Sequence, residues 1–168
     1  VGPLAYRIRY GPAHAGFTLV ELLVVIGIIA LVVALASANL GDDARRSTER
    51  EAKRLAGALE HAAAVAQWQR ITIGVSLEGS VYRFWARDAN ESWNLISGDD
   101  VLVTHVLPQG MTVVAQRYAG APVAANAILP LRPSGRNEPY ELVLSSPATV
   151  FVVSADPLNR VAIAAAAR

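Results

Sequence analysis

Glu21 has the most unusual setting of any titratable residue in the chain. It lies in HAGFTLVELLVV, residues 14–25, and no charge follows it from Leu22 to Gly41. A carboxylate inside a membrane-length apolar segment is costly unless something pairs with it. At the start of a helix the backbone dipole favours it by about 0.3–1 kcal/mol. An ammonium on a neighbouring helix would lower the cost further. Two roles therefore fit Glu21: a carboxylate reaching to the lipid interface, or a charge that sets register between packed helices.

The other residues that could do chemistry are dispersed. His14, His61 and His105 stand in separate contexts, and His61 reads as a solvated or half-buried helix residue rather than a ligand. No nucleophile elbow, P-loop, dinucleotide fingerprint or zinc-ligand spacing occurs. Cysteine is absent, which excludes a disulfide framework, a thiol nucleophile and a thiolate metal site. Gly135 in PSGRNEP reads as a turn glycine. Asp88, Asn90 and Glu91, or Asp99 and Asp100, offer oxygens of the kind calcium takes, but they read as solvated loop acids. We therefore expect no enzyme, no catalytic residue, no metal and no cofactor.

Fifteen basic and 14 acidic residues give a net charge of +1, too balanced to argue for nucleic acid. Arg132, Arg136, Arg160 and Arg168 are scattered, whereas affinity for nucleic acid grows with the number of phosphates neutralised. Trp68, Trp85, Trp93, Tyr82 and Phe84 could mark a contact surface, but packing between helix and sheet accounts for most of them. Trp93, in an expected loop over 88–100, is the candidate for contact with a partner.

The elements that position these residues follow from periodicity. Residues 17–40 hold one charge, and a helix needs roughly 20 apolar residues to cross the hydrocarbon of a bilayer. A cleaved secretory signal has a shorter apolar core, about 7–15 residues. The run is expected to be a membrane helix. Beyond it, Ala52, Leu55, Leu59, Ala62 and Ala66 form one apolar stripe at helical spacing. A single helix from Phe17 to Trp68 would be roughly 75 Å long.

After Arg70 the period changes to two. Ile71, Ile73, Val75 and Leu77 alternate with Thr72, Gly74 and Ser76, Glu78–Gly79 is a turn signal, and 81–87 (VYRFWAR) reads as the return strand of a hairpin. Further strands are expected at 101–106, 111–116, 140–145, 149–154 and 160–164, with 117–139 a long loop holding at most one short strand. The fold class is α+β: one long N-terminal helix packed on antiparallel sheets.

Gly16–Phe17–Thr18–Leu19–Val20–Glu21, followed by about twenty apolar residues, resembles the class III prepilin signal shared by type IV pilins and type II secretion pseudopilins. The resemblance implies that a prepilin peptidase cuts between Gly16 and Phe17 on the cytoplasmic side and methylates the new amino group of Phe17. It implies a role for Glu21 in assembly. It also implies residues 1–16 as leader, 17–41 as the membrane and fibre-core half of the helix, 42–69 as its amphipathic half and 70–168 as a periplasmic head. Ala15 stands where family leaders usually carry a basic residue. Arg7 and Arg9 precede the run, while Arg45, Arg46, Arg50, Lys53 and Arg54 follow it. A positive-inside count alone would therefore turn the protein the other way; the family's signal implies a cytoplasmic amino end.

The order of a long helix, an aromatic hairpin with YRFW, then VLPQGMTV, LRPSGRNEPYELVLS and VVSADPLNRVAI, resembles the GspH/FimT head. That resemblance implies a minor pseudopilin near the tip of a type II secretion pseudopilus, acting in export of folded proteins. Its implied partners are the prepilin peptidase, the major and other minor pseudopilins and the inner-membrane assembly platform. The alternative it leaves open is a FimT-like type IV minor pilin acting in pilus assembly or DNA uptake.

Overall fold

The computed structural model describes the backbone of residues 18–166 and the side chains of all of these but 36–42. The chain divides into two units between Asn39 and Leu40. Helix α1, Leu19–Gln69, contributes residues to both. In the first unit it is the whole described structure. In the second it is followed, among the described residues, by ten strands: β1 Ile73–Glu78, β2 Val81–Arg87, β3 Trp93–Leu95, β4 His105–Val106, β5 Thr112–Tyr118, β6 Ala121–Pro122, β7 Leu129–Leu131, β8 Tyr140–Ser145, β9 Val150–Ala155 and β10 Val161–Ala165.

The second half of α1 is rich in alanine, the best helix former, and presents the expected stripe. Ala52, Leu55, Leu59, Ala62 and Ala66 are all fully buried. The helix ends in a Schellman closure. Arg70 takes a left-handed φ of 56° and the Ile71 N–H donates to the Ala66 carbonyl at 3.2 Å, which satisfies an orphan carbonyl of the last turn.

All strand pairs are antiparallel. One sheet runs β3-β2-β1-β7, with β4 sharing the β2 edge with β3; the other runs β10-β9-β8-β5-β6. The first hairpin closes through Gly79 and Ser80. Glu78 faces Val81 and only Gly79 of the pair has positive φ, at 58°, the pattern of a type II′ turn. Between the helix stripe and the sheets lies one core, with Ile73, Val75, Phe84, Leu131, Leu142 and Val153 at its centre.

Two expectations need correction. The strand expected at 101–106 reduces to His105–Val106. Upstream, the Asp99 carboxylate accepts the N–H groups of Val101 at 2.8 Å and Leu102 at 3.0 Å, which curls the chain and drops Leu102 into the core. The expected loop 117–139 contains two short strands, β6 and β7. Leu129 and Leu131 point into the core from β7, and Pro130 is tolerated because β7 is an edge strand. The alternating residues of β1 are buried on both faces through Leu77. The side chains of Trp93 and Ile128 lie where a Cβ on Gly74 would fall, and Trp85 donates its indole N–H to Ser76 Oγ at 2.8 Å.

Candidate functional site

Thr18 and Glu21 begin the described chain as a unit. Thr18 Oγ1 accepts the Glu21 N–H at 3.2 Å, and the Thr18 carbonyl accepts the Leu22 N–H at 3.2 Å. Thr18 is thus the N-cap of α1 and Glu21 stands three residues on, the spacing of a capping box. Glu21 is the acidic residue of the first turn, where the helix dipole favours it. The T-x-x-E spacing was present in the sequence as a helix-start signal. Gly16 and Phe17 lie outside the described residues.

Every described side chain from Leu19 to Leu35 is exposed. Leu19 is 77% exposed, and even Val25, the most covered large apolar side chain of this stretch, is 43% exposed. Among the described residues no helix is long and apolar enough to cross a membrane. The described side chains of the run end at Leu35, while in the sequence the uncharged stretch continues to Gly41.

Two histidines join α1 to the sheet side of the second unit. His61 Nε2 lies 2.8 Å from Asp99 Oδ2. His105 Nε2 lies 2.8 Å from Glu51 Oε2, with both side chains 16% exposed, and the His105 ring packs 5.0 Å from that of Tyr82. The hydrogen bond from His61, helped by the Val101 and Leu102 N–H groups, holds the Asp99 carboxyl below the usual range. Burial pushes the Tyr82 phenol up to about 12. These pairings bridge 38 and 54 residues of chain, and no local spacing announces them.

The loop acids are engaged by their own backbone. Asp88 accepts the N–H groups of Asn90 and Ser92 and the Asn94 amide, and these donors, Ser92 first, hold its carboxyl below the usual range. Among the described residues no group of three or more His, Asp or Glu could hold a metal ion. Arg160 is paired with Asp156 at 2.7 Å.

Trp93 lies in β3, half-buried, rather than in a loop. Its ring covers Gly74 and carries the Arg87 guanidinium 5.7 Å above its centre. Trp68, by contrast, is 92% exposed. It lines a groove of about 380 Å³ with Ala64, Leu158 and Val161.

Residues 12–37 match the prokaryotic N-terminal methylation motif. No curated protein sequence matches the chain. Among solved structures, the minor pseudopilin EpsH of the type 2 secretion system of Vibrio cholerae is similar, with a TM-score of 0.58 and 17% identity over 71% of this chain and 97% of that one. GspH of E. coli, solved in solution, gives a TM-score of 0.57 and 17% identity over 74% of this chain and 93% of that one. The chain has the pseudopilin fold. Within that fold, the stripe from Ala52 to Ala66 is the helix face that carries the sheets, and Thr18–Glu21 is the helix start that lies inside the methylation motif.

Proposed function

We propose that the chain is a minor pseudopilin of the GspH type, a structural subunit of a type II secretion pseudopilus. The observation that carries this reading is the methylation motif at 12–37 on a chain with the pseudopilin fold. A prepilin peptidase cuts between Gly16 and Phe17 and methylates Phe17. The mature helix is held in the inner membrane by residues 17–41, amino end cytoplasmic, and residues 42–168 form the periplasmic part, with the amphipathic half of the helix as its spine. Assembly with the major and other minor pseudopilins on the inner-membrane platform places the subunit near the tip, where it supports export of folded proteins and performs no catalysis.

The exposed apolar side chains from Leu19 to Leu35 support this reading, because lipid or neighbouring helices would cover them. Glu21 is the register charge: in the fibre it pairs with the Phe17 ammonium of a neighbouring subunit, which removes the cost of leaving a carboxylate alone in that medium. Trp93 supplies a subunit contact through the part of its ring that β1 and Arg87 leave uncovered.

Expression of the precursor with the peptidase and partner pseudopilins tests the proposal. Gly16→Ala should leave a precursor 16 residues longer than the mature chain. Glu21→Ala should be inserted and cleaved but fail to co-purify with partner pseudopilins. A mature mass in the Gly16 variant would sink the processing assignment, and normal co-purification of the Glu21 variant would sink the register role. Tight, salt-sensitive DNA binding by the wild-type chain would replace secretion with DNA uptake.

A further inference from the structure

The strands of the second unit run between two ends, and their pairing assigns each connection to one of them. Glu78 at the end of β1 faces Val81 at the start of β2, and β4 lies beside Val81 and Tyr82. Thr112 of β5 and Val150 of β9 both face Ser145, the end of β8. The connections 79–80, 107–111 and 146–149 therefore share one end. They also touch. The Ser80 carbonyl accepts the Leu107 N–H and the Gly79 carbonyl accepts the Val113 N–H, each at 2.7 Å. The Pro147 ring lies 3.8 Å from where a Cβ on Gly110 would fall. The connections 70–72, 88–92, 132–139 and 156–160 share the other end, joined by the Arg87 N–H to the Thr72 carbonyl and the Asn137 N–H to the Pro157 carbonyl.

The two ends differ in charge. The connections GS, LPQGM and SPAT of the first end carry none, whereas RIT, DANES, RPSGRNEP and DPLNR of the second each carry at least one. The uncharged end lies at the amino side of the packed helix segment, since Thr48 Oγ1 is 2.9 Å from Ser146 Oγ. The charged end lies at the carboxyl side, where a Cβ on Gly135 would fall 3.6 Å from the Gln67 side chain. Thr48 follows Gly41, the last residue of the uncharged run, by about two helical turns, roughly 10 Å. β8 descends to the turn 146–149, so the tips of these connections stand closer to the level of Gly41 than that. A headgroup layer is roughly 5–7 Å thick.

We propose that the uncharged end of the second unit rests on the lipid headgroups of the membrane that holds residues 17–41, while the charged end points to water. The inference deepens the membrane placement given under the proposed function and rests on it. A charge held beside hydrocarbon loses hydration, and an acidic one is also repelled by anionic lipid. Ser, Thr and Gln side chains exchange water for headgroup oxygens without that loss. Val106, 63% exposed at this end, gains apolar cover. Glu78, which leads into the first turn, is paired with Arg83 at 3.4 Å. Asp43, Arg45 and Arg46 near this level are exposed on α1 itself, and arginine stems are long enough to set their charge among phosphates. The rim of a protein interface tolerates charge, so a protein neighbour gives no reason for three separate connections to be neutral at one end only. A lipid surface does.

The chain contains no cysteine, so single introduced thiols carry a fluorophore to chosen places. The whole chain is reconstituted without partner proteins in vesicles of phosphatidylcholine and phosphatidylglycerol that bear a nitroxide quencher on the lipid headgroup. Ser80, Gln109, Ala89 and Ser134 are all exposed, so labels there leave the core intact. Probes on Ser80→Cys and Gln109→Cys should lose most of their emission. Probes on Ala89→Cys and Ser134→Cys should lose almost none, because strands of six residues set that end about 20 Å further away. Equal quenching at the two ends, or none at positions 80 and 109, would overturn the proposal. A probe on Ile29→Cys, with the nitroxide moved to the acyl chain, tests the membrane placement separately. Quenching there without quenching at 80 and 109 defeats only the resting of the head on lipid. No quenching at position 29 defeats the membrane placement and the proposal with it.

Discussion

The two halves of α1 belong to one helix and meet opposite fates. From Leu22 to Leu35 the helix carries no charge on any face, and every described side chain is exposed. From Thr48 to Ala66 it is apolar on one stripe and that stripe is buried. The more apolar half buries less. What decides burial is therefore a complementary surface on the same chain, which the second half has in the two sheets. The difference also separates two kinds of stabilisation. The second half is held by its own head, and the first half needs a medium or a neighbour to cover it.

The largest expected effect tests that separation directly. Leu59 is fully buried against the sheets, so Leu59→Ala should destabilise the fold by about 2–5 kcal/mol in urea unfolding of the detergent-held chain. Ile29 is 55% exposed, so Ile29→Ala should move the same midpoint by less than about 0.5 kcal/mol. Equal losses in the two variants would break the comparison, since they would mean that Ile29 has a packing partner within its own chain.

How far the sequence disclosed this arrangement depends on the range of the interaction. The stripe Ala52–Leu55–Leu59–Ala62–Ala66 was legible because helical spacing is local. The 81–87 strand was legible for the same reason, and so was the Gly79 turn. The strand Leu129–Pro130–Leu131 was hidden because its partner Ile73–Val75 lies more than fifty residues earlier and its proline reads as a loop signal. The double cover of β1 was hidden because it depends on Trp93 and Ile128 arriving from two other segments. At the amino end, the methylation motif over 12–37 was legible, whereas the capping role of Thr18 needed the T-x-x-E spacing to be read as a helix start. Neither histidine pairing could be found from spacing, because each joins the helix to a distant segment.

Those pairings sharpen the comparison at lower energy. The Asp99 carboxyl sits below its usual range because His61 and two backbone N–H groups favour the ionised form. A depressed folded value means that the unfolded chain binds the proton more readily. The stabilisation is thus complete above the ordinary Asp value near 3.8 and is lost as pH falls through the lower folded value. Asp99→Asn should be less stable than wild type at neutral pH, and its stability should fall less steeply below about pH 4. Parallel acid-unfolding curves for the two proteins would remove Asp99 from the forces that hold the second half of α1.

The smallest expected effect comes from the residue that crosses the divide. Trp68 belongs to the buried half of α1 by position and to the exposed half by environment, at 92% exposure. If a sheet surface rather than helix position decides burial, Trp68→Ala should change the unfolding free energy by no more than about 0.5 kcal/mol despite the size of the side chain. Ala66, two residues away and fully buried, supplies the contrast. Ala66→Leu forces extra atoms between helix and sheet and should cost about 1–3 kcal/mol. Truncating the largest side chain of the segment would then matter less than enlarging one of its smallest, an ordering that side-chain size alone cannot produce. A loss at Trp68 as large as that at Ala66 would mean that the indole is packed within the chain in solution, and the groove it lines with Leu158 and Val161 would be closed rather than open.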